Sequence, residues 1–251
     1  MIDRISHGPV MELRLNRPPA NALNHELIRA LDIAIHEAPA EGARALVLSG
    51  QPGMFCAGLD VPSLMGRDVA AMDEFFRAFF RLLKTIAASS IPIAAALTGH
   101  APAGGTVMAV FCDRRVMSEG SYKLGLNEHR VALPIPRPVM LAFERLCGPR
   151  VASDYGLRGA LMEADEALRI GLVDELVPAE QVIERAVAWA TEMTALPSPM
   201  ALAETRRYQR ADVLQAFELL DTDVAAFSRI WFSEETQAVM KGLIERLQNR
   251  G

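Results

Sequence analysis

The stretch "IPIAAALTGHAPAGGTVMAVFCD", residues 91–113, decides the fold. From Ile91 to Cys112 it holds no Asp, Glu, Lys or Arg, so by length alone it could cross a bilayer. Pro92, Gly99, His100, Pro102, Gly104 and Gly105 break that reading. It parses instead as a strand, "IPIAAALTG", a tight turn, and a helix start, "GGTVMAVFC". The side chains after the glycine pair, Thr106, Val107 and Met108, offer little for chemistry, so any reactive group lies elsewhere.

Strand-then-helix segments recur on both sides of this stretch. Upstream, "VMELRLN" (10–16) alternates and reads as a strand. Asn24 is placed to cap a helix, "HELIRALDIAIHEA", with Leu27, Leu31, Ile35 and Ala38 on one face. "RALVLSG" (44–50) is a short buried strand, followed by the small-residue loop "QPGMFCAGLDVPSL". Residues 69–88 form an amphipathic helix carrying Phe75, Phe76, Phe79, Phe80, Leu83 and Ile86. Downstream, "RRVMS" and "YKLGL" are short strands. "MEADEALRIG" and "AEQVIERAVAWATEM" are helices, with "VDELV" a strand between them. From Pro197 onward the tail is helical. The expected architecture is a layered α/β core over residues 1–195 with a C-terminal helical region over 196–251.

Composition narrows the function. Of 251 residues, 51% are hydrophobic and 23% charged, with a net charge of -5. That balance fits a globular protein and argues against a nucleic-acid partner. Cys56, Cys112 and Cys147 lie far apart and form no metal-binding spacing, so a reduced, cytoplasmic setting and no metal are expected. Asp3, Arg4 and Glu12 interrupt any signal-peptide core, and the acidic residues argue against a transit peptide. No GxSxG elbow, HExxH or GxGxxG occurs.

Two loops and one carboxylate are the candidate site. "CAGLD" (56–60) and "PAGG" (102–105) each follow a strand. If those strands are neighbours, both loops leave the same sheet edge, where α/β folds bind ligands. A helix start offers unpaired N–H groups and a partial positive charge. Two such donors aimed at one point would hold a carbonyl oxygen that gains charge. For one glycine loop alone, tight turns and close packing are the better account of Gly58, Gly104 and Gly105. In "GLNEH" (125–129), Glu128 sits in an apolar neighbourhood where loss of water would raise its pKa and suit it to act as a base. His100, His129 and Asp113 are weaker candidates.

These segments, in this order, resemble the enoyl-CoA hydratase/isomerase (crotonase) superfamily. The residues that carry the resemblance are "NRPPANALN" (16–24), "LVLSGQPGMFCAGLDV" (46–61), "IPIAAALTGHAPAGG" (91–105), "CDRRVMS" (112–118), "YKLGLNE" (122–128) and "ADEALRIGLVDELVP" (164–178). The resemblance implies a spiral of ββα units with a C-terminal helical region that builds a homotrimer or a dimer of trimers. It implies chemistry on a coenzyme A thioester, which is substrate rather than cofactor. Leu59 and Gly104 would then supply the two oxyanion N–H groups. Ala57, Gly58, Leu59, Asp60 and Val61 would line the coenzyme A site with Gly105 and Asn127. The backbone at Ala22 and Leu23 would lie along the pantetheine and adenosine. Lys241 is a guess for a phosphate partner.

Hydratases of this superfamily resemble one another in two glutamates, one of them three residues after the oxyanion glycine. Here those positions hold Val107 and Glu128. "PAGG" followed by "GLNE", and the tail "DVAAFSRIWFSEETQAVMKGLIERL", are similar to the delta-3, delta-2-enoyl-CoA isomerases, which keep one glutamate. The resemblance therefore implies a double-bond isomerase. A hydratase or another crotonase-type reaction is one alternative; a non-catalytic coenzyme A-ester or RNA-binding relative is the other. Ala132 stands where many relatives have glycine, and His129 and Arg130 are bulkier than expected, which implies a reshaped acyl pocket.

Overall fold

The computed structural model describes residues 1–248. The last three residues of the expected C-terminal helical region lie outside the described residues. In chain order the elements are β1 (Ile2–His7), β2 (Val10–Leu15), α1 (His25–Glu37), β3 (Ala45–Ser49), β4 (Gly53–Met54), α2 (Val61–Leu64), α3 (Val69–Ala88), β5 (Ile93–Leu97), β6 (Gly99–Pro102) and α4 (Gly104–Ala109). There follow β7 (Arg114–Ser118), β8 (Lys123–Gly125), a 3-10 turn (Glu128–Val131), α5 (Arg137–Cys147), α6 (Pro149–Arg158), β9 (Met162–Glu163), α7 (Ala164–Arg169) and β10 (Glu175–Val177). The chain ends in α8 (Val182–Thr194), α9 (Pro199–Gln209), α10 (Ala211–Ala216), α11 (Leu220–Trp231) and α12 (Glu234–Gln248).

The strands form a spiral. A six-stranded sheet has the order β1-β2-β3-β5-β7-β10, and a smaller one has β4-β6-β8-β9. Each turn lays one strand in the large sheet, the next in the small sheet, then a helix: β3 and β4, β5 and β6, β7 and β8. The stretch read as one strand is therefore two. The chain leaves the large sheet at Thr98, whose carbonyl accepts from Gly53 N at 2.9 Å and whose hydroxyl donates to Gln51 O at 2.9 Å. Both halves are apolar, so hydropathy carries no mark of the break.

Burial on both faces explains the unbroken apolar strands. All five residues of β3 and of β5 are buried. Ala45, Val47, Ala94 and Ala96 face α8, meeting Val182, Ala186 and Ala190. The alanines let the helix lie close to the sheet. Leu46, Leu48, Ala95 and Leu97 face the main core with Leu27, Leu31, Phe75 and Leu83. Asn24 caps α1 as expected, its Oδ1 accepting from Leu27 N at 2.9 Å. β1 was not anticipated. It is an edge strand of mixed polarity, paired antiparallel to β2. The helix expected from Met162 begins at Ala164, because Met162 and Glu163 pair with β8. No helix among the described residues is long and apolar enough to cross a membrane.

The C-terminal helices fold back over the core of the same chain. Phe227 of α11 meets Phe76 at 5.5 Å and Phe80 at 5.2 Å, and Trp231 meets Phe76 at 6.1 Å, all edge-on. Asp113 anchors them. Its carboxylate accepts from Ile93 N at 2.8 Å, Arg206 Nε at 2.9 Å and Arg210 at 2.7 Å. Its place is structural rather than catalytic. Removing one member of such a buried group strands the opposite charge, at a cost of about 3–5 kcal/mol. Asp113→Ala is thus expected to lower unfolding free energy by about that amount in urea titration; a change under about 1 kcal/mol would mean the anchor carries nothing.

Candidate active site

β4 and β6 pair in parallel, Met54 beside His100, so the loops that follow them leave one edge together. They touch. Gly58 has φ +89°, and a Cβ on it would lie 3.0 Å from Ala103 Cβ and 3.3 Å from Gly104 N. A Cβ on Gly105 would lie 2.5 Å from Cys56 O. Side chains at either position would push the loops apart.

This contact presents two free donors. Leu23 N donates to Gly58 O at 2.7 Å and Asp60 N donates to Leu23 O at 3.0 Å. By strand alternation the N–H of Leu59, between them, faces the other way. Gly104 opens α4, where an N–H has no partner within the helix. Among the described residues neither N–H donates to a backbone group. Ala103 turns the chain there at φ +46°, ψ -118°, a conformation few side chains accept.

The carboxylate arrives from the next turn of the spiral. β8 pairs with β6, Leu124 beside Ala101 and Gly125 beside Pro102. The residues just after it therefore stand across from Ala103 and Gly104. Glu128 begins the 3-10 turn and is 8% exposed. Its Oε2 and the Oδ1 of Asn127 are buried with no hydrogen-bond partner. Burial pushes the Glu128 carboxyl up to about 7; its own backbone N–H pulls slightly the other way.

These groups share a cavity of about 430 Å³. Ala57, Leu59, Val61, Gly104, Val107, Asn127 and Glu128 line it. Glu128 is the one ionisable side chain among the described lining residues. Val107 is 2% exposed and keeps its part of the wall apolar. Leu23, Gly58 and Gly105 stand behind the wall and shape it. Two of the expected ligand-side residues also make bonds within the chain. Ala22 O accepts from Arg17 at 3.0 Å, and Asp60 pairs with Arg17 at 2.5 Å while capping α2. His100 Nδ1 accepts from Lys123 N at 3.0 Å, and His129 is exposed. Lys241 is exposed on α12 and is not among the lining residues. Ala132, in the left-handed conformation at φ +56°, accepts from Thr236 Oγ1 at 2.9 Å and ties the Glu128 turn to α12.

Sequence reasoning missed the far walls. Phe76 and Phe79 of α3, Leu133 beyond the 3-10 turn, Phe227 of α11, and Met240 and Leu243 of α12 complete the cavity. The signal available was weak: Phe76 and Phe79 are three apart on a face already crowded with Phe75 and Phe80.

The family model described as Enoyl-CoA hydratase/isomerase matches residues 6–250. The chain belongs to the enoyl-CoA hydratase/isomerase family. It is 26% identical to mitochondrial enoyl-CoA delta isomerase 1 of Rattus norvegicus, over 100% of this chain and 88% of the relative. It is 30% identical to a probable enoyl-CoA hydratase of Rhizobium meliloti (strain 1021), over 96% and 93%. The crystal structure of human mitochondrial delta3-delta2-enoyl-CoA isomerase superposes with a TM-score of 0.94 at 28% identity, over 100% and 98% of the two chains. The crotonase-type fold and the likeness to delta isomerases, both expected from the sequence, hold.

The raised pKa has a cost in stability. The folded chain keeps the Glu128 proton up to about pH 7, whereas an ordinary carboxyl releases it near 4.5. Between those values the folded state binds more protons, so its stability falls as pH rises. The loss amounts to about 3 kcal/mol above pH 7. Glu128→Gln is expected to be more stable than the parent at pH 8 by about that amount, the gap closing toward pH 4.5. Urea unfolding at several pH values tests it; a gap independent of pH would refute the burial of the charge.

Proposed function

We propose that the protein shifts the double bond of a 3-enoyl-CoA to give the 2-trans-enoyl-CoA. The observation that supports this most is the lone carboxylate: Glu128 shares an apolar cavity with two free N–H groups, and Val107 occupies the place of a second glutamate. Adding water to a double bond calls for one group to activate water and another to protonate carbon. Moving a proton between two carbons calls for one.

The thioester oxygen sits on the N–H groups of Leu59 and Gly104, each worth about 10²–10³ in rate. Glu128 removes a proton from C2. The C2–H electrons become the C2–C3 double bond, those of C3=C4 take the proton back at C4, and the dienolate charge rests on the thioester oxygen meanwhile. Proton transfer by the positioned carboxylate contributes a further factor of about 10²–10⁴. The apolar walls exclude water that would otherwise add to the intermediate or solvate the base. They suit a hydrocarbon acyl chain. Coenzyme A enters as part of the substrate, with no separate cofactor. The homotrimer or dimer of trimers and the cytoplasmic setting belong to the same proposal.

Incubation with 3-cis- and 3-trans-enoyl-CoA is expected to yield 2-trans-enoyl-CoA, with Glu128→Gln slower by at least about 10². Because the base must be ionised, kcat/KM should rise with pH through about 7. A Glu128→Gln variant with parental activity would remove the residue from the mechanism. The R. meliloti relative supports hydration as the second reading. Faster hydration of crotonyl-CoA than isomerisation of any 3-enoyl-CoA would establish it instead.

A further inference from the structure

Thr106 has no polar group in the cavity's chemistry to serve, yet its hydroxyl is one of the most constrained atoms near it. The side chain is fully buried. Its Oγ1 donates to Ala101 O at 2.6 Å and accepts from Gly125 N at 2.7 Å. Ala101 belongs to β6 and Gly125 ends β8, strands that pair in parallel. The hydroxyl is thus inserted between a carbonyl of one strand and an N–H of the other. One residue pair further on, Ala103 N donates to Gly125 O at 2.9 Å.

Both ends of this bridge lead to the reacting groups. Thr106 is two residues beyond Gly104, in the first turn of α4, so its position fixes where the Gly104 N–H points. Gly125 is three residues before Glu128. With both N–H and C=O held, it fixes where the 3-10 turn starts. The loop of Glu128 and the helix of Gly104 come from different turns of the spiral. Thr106 and Ala103 join them within a few residues of each site.

We propose that Thr106 is a positioning residue whose hydroxyl sets the distance between the Gly104 N–H and the Glu128 carboxylate. This rests on the isomerase reading above. The hydroxyl acts on the transition state, where oxyanion and base must be engaged at once, and scarcely on thioester binding. A displacement of about 1 Å between such groups can cost up to about 10² in rate. Valine has the shape of threonine and neither hydrogen bond. It releases Gly125 N and frees the turn, giving Glu128 more water.

Thr106→Val and Thr106→Ser are assayed on a 3-enoyl-CoA as purified full-length protein, with thermal unfolding followed in parallel. For the valine variant the expected result is kcat lower by about 10- to 100-fold with KM within about twofold. The pH midpoint of the rate should move down toward the ordinary carboxylate range. Serine keeps both bonds and should restore kcat to within about threefold of the parent. Should the valine variant not accumulate, Thr106→Cys, which weakens both bonds at similar volume, is held to the same outcomes. Parental kcat and pH midpoint in a folded valine variant overturn the proposal, as does a rise in KM with kcat unchanged. A serine variant as slow as valine also overturns it. Absence of turnover by the parent on every 3-enoyl-CoA defeats the isomerase reading itself, and this proposal with it; a parent that turns over while the variants match it defeats this proposal alone.

Discussion

A buried carboxylate that shares a cavity with two backbone N–H groups lacking a backbone partner is a state that folding opposes. Desolvation alone holds the Glu128 proton up to about pH 7. Among the described residues neither the Leu59 nor the Gly104 N–H donates to a backbone group, so closing the two loops together gains no hydrogen bond from them. None of these groups would take up such positions by itself. The rest of the molecule supplies the free energy that holds them there.

The spiral explains how the cost is met. Each turn ends at the same edge of the small sheet, so three loops distant in sequence meet without any of them being long. Close contact between Gly58 and Gly104 then sets the spacing of the two donors through backbone alone, which has no rotamers to lose. The cover comes from the tail. α11 lays Phe227 and Trp231 on α3, and Asp113 holds Arg206 and Arg210, so the cavity's outer wall is tied to the strand that feeds the oxyanion loop. A break in that tie would loosen the tail.

Legibility in the sequence followed locality. The loops at 56–60 and 102–105 and the turn at Glu128 each sit within a few residues of a recognisable strand end, so they could be picked out as one candidate site. Thr98 was invisible as a break because apolar residues continue on both sides of it. β1 was hidden by its charges, which suit an edge strand and a loop equally. Phe227, Met240 and Leu243 could not be told from core residues, because an apolar helix face has the same pattern whether it covers other side chains or an empty space. Asp60 also caps α2 and pairs with Arg17, a role that its position after a glycine loop does not announce.

Thr106 and Val107 show why adjacent positions in a helix can carry opposite demands. Successive residues diverge by about 100° around the axis, so one can face the neighbouring strand while the next faces the cavity. At 106 a hydroxyl is required, because a strand carbonyl and a strand N–H both need a partner there. At 107 a polar group would be harmful to an isomerase. A second carboxylate would hold water beside the dienolate, and water at that point competes with return of the proton. Val107 keeps its part of the cavity wall apolar, and burial raises the Glu128 carboxyl to about 7. On the proposed isomerisation, selectivity and the strength of the base both draw on one property of the wall, its largely apolar lining.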